Sequence, residues 1–260
     1  MSQKFTDWFM KYSIPVSGVI HAGSHLGQEM KDYKSLGFEK IIWIEANPKI
    51  VLELEKSIQN DPNQIVISAC LWSVDNQKVE FNIAGIESSS SSILEPFLIS
   101  ASHPEVEVSE KITLITSKLD SLIYSKFDHE EYSDYGVLVI DVQGAELDVI
   151  KGAEELLTQI DAIFLELSTR ELYKGYSSKN EIVKYLKEKR FEFMASEIDS
   201  GTGWGEGLFL SSKLIQKNDL KISDQVHVIK GKKLNIGTFL RTMLLKLGIS
   251  VKLVRKIRRL

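Results

Sequence analysis

A single cysteine, Cys70, stands in the 260 residues, so an internal disulfide framework is excluded and a reducing cytoplasm is the expected setting. No run of 18 apolar residues occurs, which argues against a transmembrane helix. The opening MSQKFTDWFMKYSIPVSG lacks a basic stretch followed by an apolar one and does not read as a secretory signal. No internal repeat is found. Acids are absent between Gln225 and Leu260, whereas ten of the chain's 32 Lys and Arg fall there. An acidic body is therefore expected to carry a basic tail. What is present is ordinary for a folded protein: 43% hydrophobic and 26% charged residues, which excludes disorder and collagen.

The chain reads as an N-terminal lead-in over 1–16, a main domain over 17–212 and a tail over 225–260. In the lead-in, Phe5, Trp8, Phe9 and Tyr12 recur at helical spacing, as core packing would require. A short apolar run from Gly18 ends in the turn at Gly23. A helix is predicted over Leu26–Leu36, a strand over Lys40–Glu45, a helix from Pro48 to about Asn60 after Asn47 as N-cap, and a strand over Gln64–Leu71. That alternation implies a parallel sheet with right-handed crossovers. The middle is less regular, with alternating stretches at Lys78–Ile83 and Ile112–Ile115. Ser88–Ser92 reads as a solvated loop or as a loop over a pocket. The rhythm then resumes: strand Val137–Asp141, helix Ala145–Leu157, strand Ala162–Glu166, helix Asn180–Arg190, and closing strands at Phe191–Met194 and Gly207–Leu210.

Ligands of an open parallel sheet bind beyond the carboxyl ends of its strands. Four such ends carry polar chemistry here: His21-Ala22-Gly23-Ser24-His25-Leu26-Gly27, Glu45-Ala46-Asn47, Asp141-Val142-Gln143-Gly144, and Glu166. Gly23 and Gly27 form a G-x-x-x-G spacing after a strand, where glycine permits a tight turn and close approach to a ligand. Glu45 follows Gly23 by 22 residues, where a nucleoside-binding unit places an acid for the ribose hydroxyls. A dinucleotide site prefers a further glycine where His25 stands. An adenosyl cofactor without phosphates has no such need, which points to S-adenosylmethionine.

Taken in order, VIHAGSHLGQE, IIWIEANP, ISACLWSVD, SSSSSIL, TSKLDSLI, VLVIDVQGAELDVIKGAEELL and AIFLELSTRELYKG resemble the FkbM-type methyltransferases, a branch of the S-adenosylmethionine-dependent class I fold. The likeness covers roughly Gly18 to Ser211, and DVQGAELDVIKGA is its most specific piece. It implies a Rossmann-like, seven-stranded, mostly parallel α/β sheet with helices on both faces and the last strand antiparallel. It also implies O-methylation, often of sugar hydroxyls. Carried over, Gly23, Ser24, His25 and Gly27 would hold the methionine end, Glu45 the ribose, Ala46 and Asn47 the adenine side. Ala69, Cys70 and Leu71 would border the adenine, and Asp141 would lie under the sulfonium. Many class I enzymes carry an acid two residues before the first glycine. Here that position is His21, which can replace the acid only as an acceptor tautomer.

Asp141 is the first candidate for a base that takes the proton of an acceptor hydroxyl, and Glu166 the second. A cofactor contact or a helix cap is the other reading of Asp141. Glu146 and Asp148 read as first-turn acids, Asp120 as a turn acid or a pocket wall, and Trp204 as a sugar platform or a cover for the core. Cys70 reads as a small buried apolar residue. No metal is expected, since His21 and His25 stand four apart on a strand and a loop; a hard-cation site at Asp141 and Glu166 is the alternative. In the tail, Phe239, Leu240, Met243, Leu247, Val254 and Ile257 share one helical stripe, with Arg241, Lys252, Arg255, Lys256 and Arg259 opposite. Such a basic amphipathic helix suits the anionic inner face of a membrane, or packing on the acidic body. The expected acceptor is a carbohydrate or glycolipid. Two other readings stay open: a nucleic-acid methyltransferase recruited by the tail, and a non-enzymatic nucleoside-binding module. Against the first, amino-group base methylation usually wants [ND]-P-P-[YF] where this chain has Asp141-Val142-Gln143-Gly144.

Overall fold

Short, wholly apolar runs occupy the middle of the molecule because a parallel sheet covered on both faces buries every side chain. The computed structural model describes residues 3–58, 61–99, 106–221 and 226–229. Strands β1 (Gly18–Ala22), β2 (Ile41–Glu45) and β7 (Tyr135–Ile140) are buried throughout. They belong to a large sheet that also contains β3 (Gln64–Ser68), β8 (Ala162–Ser168), β9 (Phe191–Ile198), β10 (Trp204–Ser211) and β11 (Val226–Ile229). The strand order is β3-β2-β1-β7-β8-β10-β9-β11. β10 runs antiparallel to both its neighbours, and every other pairing is parallel. The expected seven-stranded sheet is present, and β11 adds an eighth strand beside β9. The segment expected as a helical tail thus opens with a strand, because Val226–Ile229 completes the ladder on the β9 edge. The remainder of that tail lies outside the described residues.

Alternation along the strands splits the core into two layers. Ile20, Ile42, Leu138 and Ile163 face one side. There they meet α4 (Leu119–Lys126), α6 (Glu146–Lys151) and α7 (Lys179–Glu188). Val19, Ile41, Trp43 and Val139 face the other. There α1 (Gln3–Lys11), α2 (Met30–Leu36), α3 (Pro48–Ile58) and α8 (Ser212–Lys217) cover the sheet. The aromatic stripe of α1 is core, as its spacing implied: Phe5 packs on Phe164 with ring centroids 4.2 Å apart, and Phe9 on Phe38 at 5.0 Å. A four-residue helix, α5 (His129–Tyr132), is closed by an Asp128/Glu131 capping box.

Several boundaries differ from the sequence reading for local reasons. Helix α2 starts at Met30 rather than Leu26, because His25 and Gly27 take left-handed backbone and the Gly27 amide closes a turn on the Ser24 carbonyl. The strand expected over Gln64–Leu71 divides at Ala69. Its first part pairs with β2, while β4 (Cys70–Leu71) crosses to Thr116–Ser117. There a second sheet forms, ordered β4-β6-β5, from β5 (Lys78–Ala84) and β6 (Val108–Ser117). Helix α6 ends at Lys151, where Gly152 passes so close to the Trp72 carbonyl that a Cβ would lie 2.4 Å from its oxygen. Asp120 then accepts the amides of Glu155 and Leu156 at 2.9 Å each, which settles it as a turn acid.

Candidate active site

The loops after β1, β2 and β7, with Ala69–Leu71 and the serine loop, enclose a cavity of about 290 Å³. Two of these loops touch. The Asp141 amide donates to the Ala22 carbonyl at 2.9 Å, and Gly23 turns at φ +78° so near to Asp141 that a Cβ would lie 1.8 Å from its carbonyl oxygen. Gly23→Ala therefore adds a collision to the about 1–2 kcal/mol that left-handed backbone costs. Gly37 offers the control, since it also has positive φ (+88°) but its nearest obstacle is 3.8 Å away. Urea unfolding is expected to show the larger loss for Gly23→Ala than for Gly37→Ala; equal losses contradict the close crossing.

Glu45 ends β2 and is buried. One carboxylate oxygen accepts the His25 amide at 2.9 Å and the other the Asn47 amide at 2.7 Å. Each oxygen keeps a lone pair, so the carboxylate can fix the glycine loop and still accept a vicinal diol. Burial raises its pKa and the backbone hydrogen bonds oppose that shift. Ala46, Ala69, Cys70 and Leu71 line the same cavity, with Phe81 of β5 and Ile93. Burial, followed by the charge of Glu45, pushes the Cys70 thiol up to about 12, so it is an uncharged wall.

His21, Ser24, His25 and Asp141 also line the cavity, together with Glu29, which no spacing rule singles out. His21 is buried, its Nδ1 shares a 3.0 Å hydrogen bond with the Tyr33 hydroxyl, and burial lowers its pKa to about 4. Ser24 Oγ is buried without a hydrogen-bond partner. The His25 ring bridges Gln28 Nε2 and the Glu87 carbonyl at 2.7 Å each, tying the glycine loop to the serine loop. Ser88, Ser89 and Ser91 line the cavity, so this loop lies over a pocket. Gly27 lies outside the wall and packs towards Leu54 of α3. Asn47 also lies outside it, and its Oδ1 accepts the Lys49 amide at 3.1 Å in the first turn of α3.

Beyond β7 the backbone of Gln143 turns left-handed at φ +56°. Its Nε2 donates to Asp141 Oδ1 at 2.6 Å and to Glu166 Oε2 at 3.1 Å, while its Oε1 accepts the Tyr173 hydroxyl at 2.7 Å. The Tyr173 bond fixes which end of the amide faces the carboxylates. Burial pushes Asp141 up to about 6, with the Gln143 bond opposing. Burial, and then the charges of Asp141 and Glu146, push Glu166 well above its ordinary range. Of the two, Glu166 is therefore the one pushed further from the ionised form. Glu146 is buried and accepts the Gly144 amide at 2.9 Å, while Asp148 accepts the Ser73 hydroxyl at 3.1 Å. Glu166 does not line the main cavity. It lines a second one of about 60 Å³, shared with His21, Glu29 and Asp141, and a smaller third one with Tyr173, Tyr176 and Trp204. Trp204 also packs against the Leu172–Tyr173 cluster. Among the described residues no three His, Cys, Asp or Glu side chains are grouped to hold a metal ion.

A family model described as the methyltransferase FkbM domain matches residues 21–193. The chain belongs to this family. No curated protein sequence matches this chain. Among solved structures it is similar to magnesium protoporphyrin IX methyltransferase from Synechocystis PCC 6803 with bound SAM. The two are 11% identical over 81% of this chain and 77% of that one, with a TM-score of 0.45. A SAM-dependent methyltransferase from Aquifex aeolicus is 11% identical over 79% and 87%, TM-score 0.43. A putative RNA methyltransferase from Pyrococcus horikoshii is 12% identical over 78% and 81%, TM-score 0.42. At such values the strand order carries the fold assignment.

The cofactor of this FkbM methyltransferase is S-adenosylmethionine, and the cavity fits it. Glu29, Glu45 and Asp141 supply acids, and no Lys or Arg is among the described residues that line it. That balance suits a ligand with an ammonium and a sulfonium and opposes a pyrophosphate. The orphaned Ser24 hydroxyl offers a donor that the protein itself does not use.

Proposed function

We propose that this methyltransferase acts on a hydroxyl of a carbohydrate or glycolipid acceptor. The observation that supports it best is Asp141 at the junction of the first and second cavities, joined through Gln143 to Glu166. S-adenosylmethionine supplies an electrophilic methyl carbon on a sulfonium leaving group. Asp141 accepts the hydroxyl proton as the oxygen becomes a nucleophile. Gln143 keeps the carboxylate in place through its bonds to Asp141 and Glu166. Trp204 and Tyr176 border the adjoining third cavity, and aromatic rings of this kind can pack on a sugar. Methyl transfer from isotopically labelled cofactor, read by mass spectrometry on glycan and RNA panels, tests this reading. O-methylated sugar is expected; methylated RNA, or turnover on neither panel, contradicts it.

A glycolipid acceptor would also give the basic segment a role. All ten tail Lys and Arg lie within residues 230–260, without one acid, and each contributes about 1 kcal/mol near an anionic leaflet. Deleting 230–260 keeps β11 and is expected to leave cofactor binding unchanged. The deletion should abolish flotation with anionic vesicles at low salt. Full-length binding should weaken as salt passes about 0.15 M, where the Debye length falls to about 8 Å. Full-length protein that stays at the bottom of the gradient contradicts the membrane role. Among the described residues no helix is long and apolar enough to cross a membrane.

A further inference from the structure

We propose that Tyr173 and Ser92 are positioning residues of methyl transfer: they lock Gln143 to the serine loop, so that the loop walling the main cavity also aligns the Asp141 carboxylate. The inference rests on Asp141 as the base. It adds two residues that line no wall of the main cavity themselves.

The serine loop works in two directions. Ser89, Ser91 and Ile93 line the main cavity. Between them, Ser90 by its carbonyl and Ser92 by its hydroxyl reach Tyr173 and the loop after β7. Ser92 is buried, donates to the Gln143 carbonyl at 2.9 Å and accepts the Leu94 amide at 3.0 Å. The Ser90 carbonyl accepts the Tyr173 hydroxyl at 3.3 Å. The stretch is itself pinned to β5, where Asn82 and Ser92 exchange both backbone hydrogen bonds at 2.8 and 3.0 Å. Tyr173 is buried too, and the segment after the serines straps it down: the Phe97 amide donates to the Leu172 carbonyl at 2.8 Å and the Lys174 amide to the Glu95 carbonyl at 2.9 Å. Gly144 admits the ring so closely that a Cβ there would lie 3.1 Å from the Tyr173 Cβ.

A tyrosine hydroxyl carries one proton. Donated to Gln143 Oε1 at 2.7 Å, it leaves Nε2 to face Asp141 and Glu166. Without that proton the amide is free to turn its oxygen to the carboxylates, where it repels the ionised form. Ser92 acts on the same residue from the backbone side. Gln143 stands at φ +56°, a conformation that is costly for any residue with a Cβ, and the Ser92 bond to its carbonyl holds it there. Both bonds end on one glutamine, and both depend on the loop that walls the main cavity. The base is therefore aligned only while that loop is in place.

A donor N–H favours the ionised carboxylate, so its loss raises the pKa of Asp141. Carbon-13 NMR of aspartate-labelled protein reads that titration with no acceptor present, the Asp141 signal being the one lost in Asp141→Asn. Tyr173→Phe is expected to raise the Asp141 midpoint by about one pH unit, the scale of one hydrogen bond, and Ser92→Ala to raise it by a smaller step. In a Gln143→Leu background neither substitution should move it further, because both act through that amide. Among the described residues, the other titratable groups around Asp141 are His21, Glu29, Tyr33, Glu146, Glu166 and Glu206, and neither substitution removes one of them. An unmoved midpoint in either folded variant overturns the proposal, even where the melting temperature falls, since packing alone lowers stability without shifting the titration. Shifts that persist undiminished in the Gln143→Leu background overturn it as well. Should Tyr173→Phe not fold, Ser92→Ala carries the same test. The titration needs no turnover, so it fails separately from the assignment of Asp141 as base, which the kinetics of Asp141→Asn decide.

Discussion

Glu45→Ala lowers the affinity for S-adenosylhomocysteine by about 10²–10⁴-fold. The carboxylate would accept both ribose hydroxyls, and hydrogen bonds to a charged group contribute about 1.5–3 kcal/mol each, with about 1.4 kcal/mol per decade of affinity. The structure adds a second route to the same loss, because the same oxygens accept the amides of His25 and Asn47. Without the carboxylate those amides lose their partners and the glycine loop loosens. Glu45→Gln separates the two effects, since one amide oxygen remains to hold one of the backbone donors. Its affinity is expected between wild type and alanine. Calorimetry on a variant that melts as a single transition, with affinity within threefold of wild type, would remove Glu45 from the ribose site.

The second large effect falls on turnover. Asp141→Asn is expected to slow methyl transfer by about 10²–10⁴-fold, the usual contribution of a positioned base, while binding of the product S-adenosylhomocysteine, which lacks the sulfonium charge, changes little. The pH profile carries the sign. A base works when deprotonated, so the wild-type rate should rise through about pH 6, where burial has placed Asp141. The Gln143 amide opposes that upward shift, so Gln143→Leu should move the rising limb to higher pH. A slower Asp141→Asn enzyme that keeps the wild-type limb would assign the titration to another group. A rate within threefold of wild type would reduce Asp141 to a contact residue.

Much of this site is legible in the sequence because the fold puts strand ends at regular intervals. Glu45 and Asp141 close runs of buried β-branched and aliphatic residues, and their place follows from the run. Gln143 sits within the same motif, yet its bridging role depends on one left-handed residue and on Tyr173, thirty residues later, fixing the amide. Glu29 depends on where α2 begins, and the backbone of His25 and Gly27 delays that start in a way hydrophobic spacing does not express. The second sheet is hidden for another reason. β4 has two residues, and its partners Thr116 and Ser117 are named by no local pattern. Helix α4 follows Ser117 at once and has no clear apolar stripe, because only Leu119 and Ile123 of it are fully buried.

The pairing of β1 with β7 bears on how the molecule comes into being. Val19 has its β2 partner, Ile41, soon after, but its β7 partner, Val137, comes more than a hundred positions later. During synthesis the ribosome therefore releases β1, β2 and β3 well before β7 exists, and one side of β1 offers unpaired amides and carbonyls to any extended segment. The chain must also lose the entropy of closing that long loop before the central ladder forms, which slows folding. The glycine loop and Asp141 meet only when this ladder closes, so a nascent chain binds no cofactor until β7 has emerged and docked.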